Sequence, residues 1–222
     1  MAMRRFRVIA AALALAFLQA CGNVGDGLGI VQARIGSLIS PGQVGTSVGR
    51  SLPRETINEA AVPLILVEVP NRDASATMLS IGRNRTVTSW AGRDDVGLSM
   101  VEPGLIISTR GYGGDILSAD IHQVLPALQQ PSDATATRTF RLLDGSDQEY
   151  ARSYFCEFER VGEQRIEIVA ETHQTVHVTE RCEAADHGFE NHYWIDANGL
   201  IWRSVQFAGS YIGYLHVERL HR

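Results

Sequence analysis

The 222-residue chain contains no lysine; all 20 of its cationic side chains are arginine. A Schiff-base enzyme and a Walker-type phosphate loop both need a lysine amine, so both are excluded. Long apolar runs are scarce as well. Val8 to Leu18 (VIAAALALAFL) is unbroken, yet it falls far short of the roughly 20 residues that cross a bilayer. Positive charge is also in deficit, with a formal net charge of −5. An acidic chain is a poor partner for nucleic acid and for anionic lipid headgroups. Cysteine is limited to three residues.

What is present begins at the N-terminus. Arg4, Arg5 and Arg7 precede the apolar run, which ends in Leu18-Gln19-Ala20-Cys21. Basic segment, short apolar core and lipobox-like ending stand in the order of a bacterial lipoprotein signal. Residues 1–20 therefore read as a signal peptide and Cys21 as the lipidated N-terminus. Acyl chains hold a protein at a membrane by burying methylenes, at about 0.8 kcal/mol each. Gly22 and Asn23 follow, with no aspartate in second position, which suits outer-membrane sorting. Loss of three signal arginines takes the mature charge to about −8. Cys156 and Cys182 remain, and an even pair in an oxidising compartment reads as a disulfide. Such a closure contributes about 3 kcal/mol in the chain-entropy account. Cys156 shares a strand face with Tyr150, Tyr154 and Phe158, which predicts that it points inward.

Gly22 to Arg54 is rich in glycine and small residues and reads as a tether, with one short helix near Leu28 to Ile39. Residues 21–60 are taken as this lipidated tether and 61–222 as one domain. Within the domain, PLILVEVP is a strand closed by prolines. ATMLSIGRNRTVTSW reads as two strands about Gly82-Arg83-Asn84, and VGLSMVEPGLIISTR as two about Glu102-Pro103-Gly104. Ile116 to Gln129 is the best helix candidate, with Pro126 as its kink or end. Seven further strand-like segments follow, punctuated at Asp144-Gly145, Gly162-Glu163 and Asn198-Gly199. Many short strands joined by tight turns predict a mainly β fold. Its expected form is an antiparallel meander sheet curled into a barrel, half-barrel or sandwich, with one or two short helices.

Several patterns invite a chemical reading. RGYGGD (Arg110–Asp115) matches only two glycines of a dinucleotide fingerprint, since Ile116 occupies the third glycine position. Its glycines instead permit positive φ or close backbone approach between a strand and a helix. Tyr112 and Asp115 of this loop are candidates for contact with a glycan or a partner. Gly45 to Gly49 (GTSVG) matches the nucleophile elbow around Ser47, but no strand leads into it. His173 and His177 would lie about 13 Å apart along one strand face, too far to share an ion. The histidines are accordingly assigned structural or solvated roles, and no metal or cofactor is expected. Asp94 with Asp95, and Asp115 with Asp120, are paired acids whose separation a glycosidase would have to control; the first pair reads as a turn.

The densest pattern is NHYWIDANGLIWRSVQ. Asn198-Gly199 is a strong hairpin cue. A two-residue turn there sets Trp194 opposite Arg203 and Ile195 opposite Trp202. Exposed tryptophans make sugar platforms, while buried ones stabilise sheets. Trp194, Trp202 and Arg203 are therefore further candidates for glycan or partner contact.

LSIGRNRTVTSW, GLIISTRGYGGDILSAD, the Cys156 strand, THQTVHVTERC, FENHYWIDANGLIWRSVQF and GYLHVERL together resemble the group 4 capsule polysaccharide lipoprotein family, the GfcB/YjbF type. The family's proline between the last two strands is absent from Phe207-Ala208-Gly209-Ser210. The resemblance implies a periplasmic lipoprotein tethered to the outer membrane and encoded with capsule or exopolysaccharide genes. It implies an outer-membrane β-barrel secretion protein as a neighbour, and no catalytic reaction or cofactor. The expected role is assistance in polysaccharide assembly or export. The alternatives are a glycan-trimming periplasmic hydrolase and a lipid or lipoprotein carrier built on a half-barrel.

Overall fold

The computed structural model describes residues 52–93, 95–130, 133–143 and 148–222. Cys21, Ser47, the helix expected over Leu28 to Ile39, Asp94 and the Asp144-Gly145 turn lie outside them. The elements in chain order are α1 (Arg54–Asn58), β1 (Leu64–Val69), β2 (Ala74–Asn84), β3 (Val87–Ala91), β4 (Gly97–Val101) and β5 (Leu105–Arg110). Then come β6 (Ile116–Asp120), α2 (Val124–Leu128), β7 (Ala134–Leu143), β8 (Glu149–Ile168), β9 (Glu171–Glu183), β10 (Gly188–Ile195), β11 (Ile201–Phe207) and β12 (Tyr214–His221). The expected mainly β meander is observed, as a single sheet nearly closed into a barrel.

Closure follows from connectivity. The sheet order is β5-β4-β3-β2-β1-β12-β11-β10-β9-β8-β7-β6, so β5 and β6 form the two edges. Eleven inter-strand spacings would separate those edges by about 50 Å if the sheet lay flat. Yet β5 and β6 are joined by only Gly111 to Asp115, a link that spans at most about 20 Å. The sheet must curl until its edges meet. They meet through side chains: Thr109 Oγ1 accepts the Ile116 backbone N–H at 2.9 Å and donates to Asp115 Oδ1 at 2.7 Å. The other closure is a full ladder, with β1 pairing antiparallel to β12.

Alternation sorts side chains between the two faces, as a two-residue period requires. β7 buries Ala136, Arg138, Phe140 and Leu142, while Thr135, Thr137 and Arg141 face solvent. β10 buries Phe189, Asn191, Tyr193 and Ile195. On β8 the inward face holds Tyr154, Cys156 and Phe158, but Tyr150 of that series is 43% exposed. It lies near the strand's start, paired with Leu142.

Three expectations are corrected. Ile116 to Asp120 is a strand, not the start of a helix, because it pairs with Thr139 to Leu142 of β7. Tertiary pairing overrides local helical preference here, and only Val124 to Leu128 is helical, with Pro126 tolerated in a first turn. The Gly82-Arg83-Asn84 turn lies further on, because Asn84 pairs with Val87 and Arg85 takes the positive φ of 55°. Gly162-Glu163 is not a turn: β8 runs through it as one 20-residue strand. Its register with β9 slips between Arg160 and Gly162, leaving Val161 as the extra residue of a bulge. Gly162 has a φ of +144°, which a side chain would resist.

That bulge begins an arm. β10 pairs with β9 only from Val176 to Glu183, so the rest of the β8–β9 hairpin projects beyond it. Ile166 and Ile168 of the arm are 4% and 1% exposed, each contributing about 1.5–3 kcal/mol by burial. Arg203 Nη2 donates to the Glu167 carbonyl at 2.8 Å. Arg54 of α1 pairs with Glu171 near the arm's tip and donates to the Leu220 carbonyl of β12 at 2.9 Å. Arm and α1 thus both meet the barrel near β12. β1 is correspondingly buried on both faces, Leu64 and Leu66 as well as Ile65 and Val67.

The arm's two-residue turn is Val169-Ala170, at φ of 42° and 60°. Positive φ at both central positions is a type I′ requirement that Asn-Gly meets and a β-branched residue resists. Val169→Asn with Ala170→Gly should raise stability by about 1–2 kcal/mol. The check is a shift of the urea midpoint upward with unchanged slope.

Candidate functional site

The barrel interior is filled. Phe140, Tyr154, Phe189 and Phe207 form one cluster; Tyr154 and Phe189 have centroids 4.8 Å apart at 71°, and Phe189 stacks on Phe207 at 4.6 Å. Within this apolar setting lies a charged pair. Arg138 Nε donates to Glu180 Oε1 at 2.8 Å and its Nη2 to Oε2 at 2.9 Å, a bidentate contact at 2% and 0% exposure. Tyr193 Oη donates to Glu180 Oε2 at 2.6 Å, and Asn191 Nδ2 to the same oxygen at 2.8 Å. Asn191 Oδ1 in turn accepts the Phe207 N–H. Burial opposes the Arg138 charge, but Glu180 more than offsets this, so the guanidinium pKa rises. Burial, then the Glu180 charge, pushes the Tyr193 hydroxyl well up, keeping it a donor.

Cys156 and Cys182 stand directly opposite on β8 and β9 and are joined in a disulfide. Glu180 Oε1 lies 3.4 Å from Cys182 Sγ. Both sulfurs are spent on each other, so this buried group of two cysteines and a carboxylate offers no thiolate to a metal.

The outer face carries a row of polar aromatics across β9, β10 and β11. Trp194 lies opposite His177 on one side and Arg203 on the other. The indole stacks on His177 at 4.7 Å and 6°, and the Arg203 guanidinium carbon sits 5.8 Å from its centroid. Its Nε1 donates to Gln164 of the arm at 2.7 Å. Arg203 Nε donates to Glu218 at 2.7 Å. An open groove of about 330 Å³ runs beside Trp194, Arg203, Val205, His216 and Glu218.

Trp202 lies elsewhere. The expected two-residue Asn198-Gly199 turn is instead the loop from Asp196 to Leu200, closed by the Asp196 N–H to the Leu200 carbonyl. The Asp196 carboxylate accepts from the Asn198 and Leu200 N–H groups and from Trp202 Nε1. Ile195 therefore pairs with Ile201 and Trp202 becomes the extra residue, re-aimed as bulges do. It stacks on His173 of the arm at 3.6 Å, with Arg222 over its ring at 4.7 Å. At 9% exposure it anchors the arm.

The glycine loop joins two strands, not a strand to a helix. Tyr112 is 5% exposed, and its hydroxyl is pushed up by burial and then by Asp115. Asp115 accepts from Thr109 and from the Gly111 and Tyr112 N–H groups. A Cβ on Gly114 would stand 2.7 Å from Tyr211, so that ring seats directly on the glycine backbone. Of the five contact candidates, only Trp194 and Arg203 come together on an accessible face. Gln164 and His177, which with His192 complete that face, are 30 and 17 residues before Trp194; only the strand register brings them to it.

A near-closed meander sheet, packed inside with buried side chains and carrying an aromatic outer face, defines a β-barrel domain. No curated protein matches the sequence. The family model for group 4 capsule polysaccharide lipoprotein gfcB, YjbF matches residues 44–220. The chain belongs to this family of capsule-associated lipoproteins. The fold is that of the crystal structure of the hypothetical lipoprotein YmcC from Escherichia coli (K12), with a TM-score of 0.70 at 16% identity, covering 86% of this chain and 95% of that one. A Bacteroides fragilis NCTC 9343 protein described as exported and YmcC-like in fold aligns at a TM-score of 0.32 and 8% identity, over 74% of this chain and 96% of that one.

Two outcomes follow for the site. Arg138→Met should cost about 3–5 kcal/mol, because Glu180 is left buried with its cation removed; urea unfolding measures it. His173 and His177 both have lowered pKa values, His173 by burial and then Arg54 and Arg222, His177 by burial and then His192. The unfolded chain therefore takes up protons first as pH falls below the ordinary 6.5. Stability should be full above that pH and decline below it. The melting temperature measured from pH 7 to 5.5 should fall less steeply in His173→Phe, which keeps the stack on Trp202.

Proposed function

We propose that the protein is a periplasmic lipoprotein, held to the outer membrane through Cys21, that assists capsule or exopolysaccharide assembly or export. Residues 1–20 are the signal, 21–60 carry the lipid and tether, and 61–222 form the working domain. The domain binds the glycan or a secretion partner such as an outer-membrane β-barrel, with Trp194 and Arg203 as the contacting residues. Family membership over residues 44–220 carries this reading. The half-buried Trp194 beside an open groove supports it, because an indole face and a guanidinium suit sugar rings and their polar substituents. Among the described residues the barrel interior is packed with buried side chains, which favours a surface contact over a lipid chamber. Glu218 is tied to Arg203, so the groove lacks the free carboxylate pair that glycan hydrolysis needs.

Deletion of the gene should lower surface polysaccharide, with the wild-type chain restoring it. Unchanged polysaccharide in the deletion would sink the proposal. Cys21→Ser should restore little if anchorage is required, and should lose palmitate labelling. Trp194→Ala, folded and correctly localised, should weaken retention on immobilised native polysaccharide by roughly tenfold or more. Retention equal to wild type would remove Trp194 from the contact.

A further inference from the structure

His177 on β9 and His192 on β10 are 15 residues apart in sequence and diagonal neighbours on the outer face of the sheet. The register brings His177 Nε2 to 3.2 Å from His192 Nδ1. Two imidazole nitrogens bound to one tetrahedral Zn²⁺ at about 2.0–2.1 Å stand about 3.3 Å apart. The observed separation is therefore already the bite of a bis-imidazole chelate. His177 is stacked in near-parallel contact on Trp194, and the ring planes of the two histidines are 27° apart.

The surroundings add a carboxylate on the correct side. Glu190 Oε1 stands 3.7 Å from His192 Nε2, the nitrogen that faces away from His177. At that distance the contact is electrostatic rather than a hydrogen bond, and a carboxylate on that side favours the tautomer protonated at the outer nitrogen, which leaves the inner one as a lone-pair donor. Glu190 is itself fixed, since Arg181 donates to Oε2 at 3.1 and 2.8 Å and Tyr214 Oη meets the Glu190 N–H at 3.2 Å. Both rings are partly exposed, so solvent or a donor from a bound molecule has room to complete the coordination.

We propose that His177 and His192 form a two-histidine site for a borderline transition-metal cation of the Zn²⁺ class. Glu190 is its positioning residue and Trp194 its neighbour. The remaining coordination positions are open, which places a Lewis-acidic ion within the same face as Arg203 and the groove. Imidazole pairs prefer such ions over Ca²⁺ or Mg²⁺, which take oxygen ligands.

The test uses the mature, untagged chain, titrated with ZnCl₂ by calorimetry and with NiCl₂ or CuCl₂ by tryptophan fluorescence. Binding with one ion per chain is expected, together with quenching of Trp194 by the paramagnetic ions. MgCl₂ should give no heat. His177→Asn and His192→Gln, each shown folded by circular dichroism, should abolish binding, and Glu190→Gln should weaken it about tenfold. Trp194→Phe should retain the calorimetric binding and lose the quenching. No saturable binding in the wild-type chain would reduce the pair to a histidine–histidine hydrogen bond and overturn the proposal. Binding unchanged in both histidine variants would place the ion elsewhere and overturn it equally. Neither result bears on the polysaccharide phenotype, so this site and the proposed function fail independently.

Discussion

Five residues between the two edge strands set the geometry of everything else. A sheet of twelve strands cannot lie flat when its first and last members are joined by Gly111 to Asp115. Curling follows, and curling creates an inside and an outside from a single layer. The join is not a ladder but a polar weld: Asp115 gathers two loop N–H groups and the Thr109 hydroxyl, and Thr109 receives the first amide of β6. These groups satisfy donors that an open edge would leave to another chain.

Once the barrel exists, its interior must be filled, and it is filled with rings and one charged pair. Aromatic rings from β7, β8, β10 and β11 pack together, and the Arg138–Glu180 pair sits among them with Tyr193 and Asn191. A buried ion pair adds little net stability over a hydrophobic pair of the same volume. Its partners here come from three different strands. The network therefore penalises any slip of β7, β9 or β10 that would separate charge from counter-charge. The disulfide lies on the same inward row, two residues from Glu180, and pins β8 to β9 where that network begins.

The outside depends on two breaks in regularity. The Val161 bulge and Gly162 let β8 and β9 continue as an arm, and the Trp202 bulge turns an indole toward that arm. Trp194, without a bulge, stays in the cross-strand row with His177 and Arg203. Two tryptophans eight residues apart thus take different work: one secures the arm and the other faces the groove.

Much of this was legible beforehand. Alternation and turn residues disclosed a mainly β meander, and the quoted segments disclosed the family, because a two-residue period and a turn glycine are local properties. The Cys156 strand also declared its inward face. The Val169-Ala170 turn was not legible, since neither residue favours positive φ; the pairing of β8 with β9 imposes it. Ile116 to Asp120 was misread because helix and strand preferences are settled there by β7, which lies beyond any local window. For the site, Trp194 opposite Arg203 came from counting across one hairpin. His192 beside His177 and the loss of Trp202 to the arm came only with the register and its bulges. Local chemistry determined the mainly β class and most of the strands. Tertiary structure decided which face each strand shows, because pairing across the sheet, not distance along the chain, sets which side chains meet.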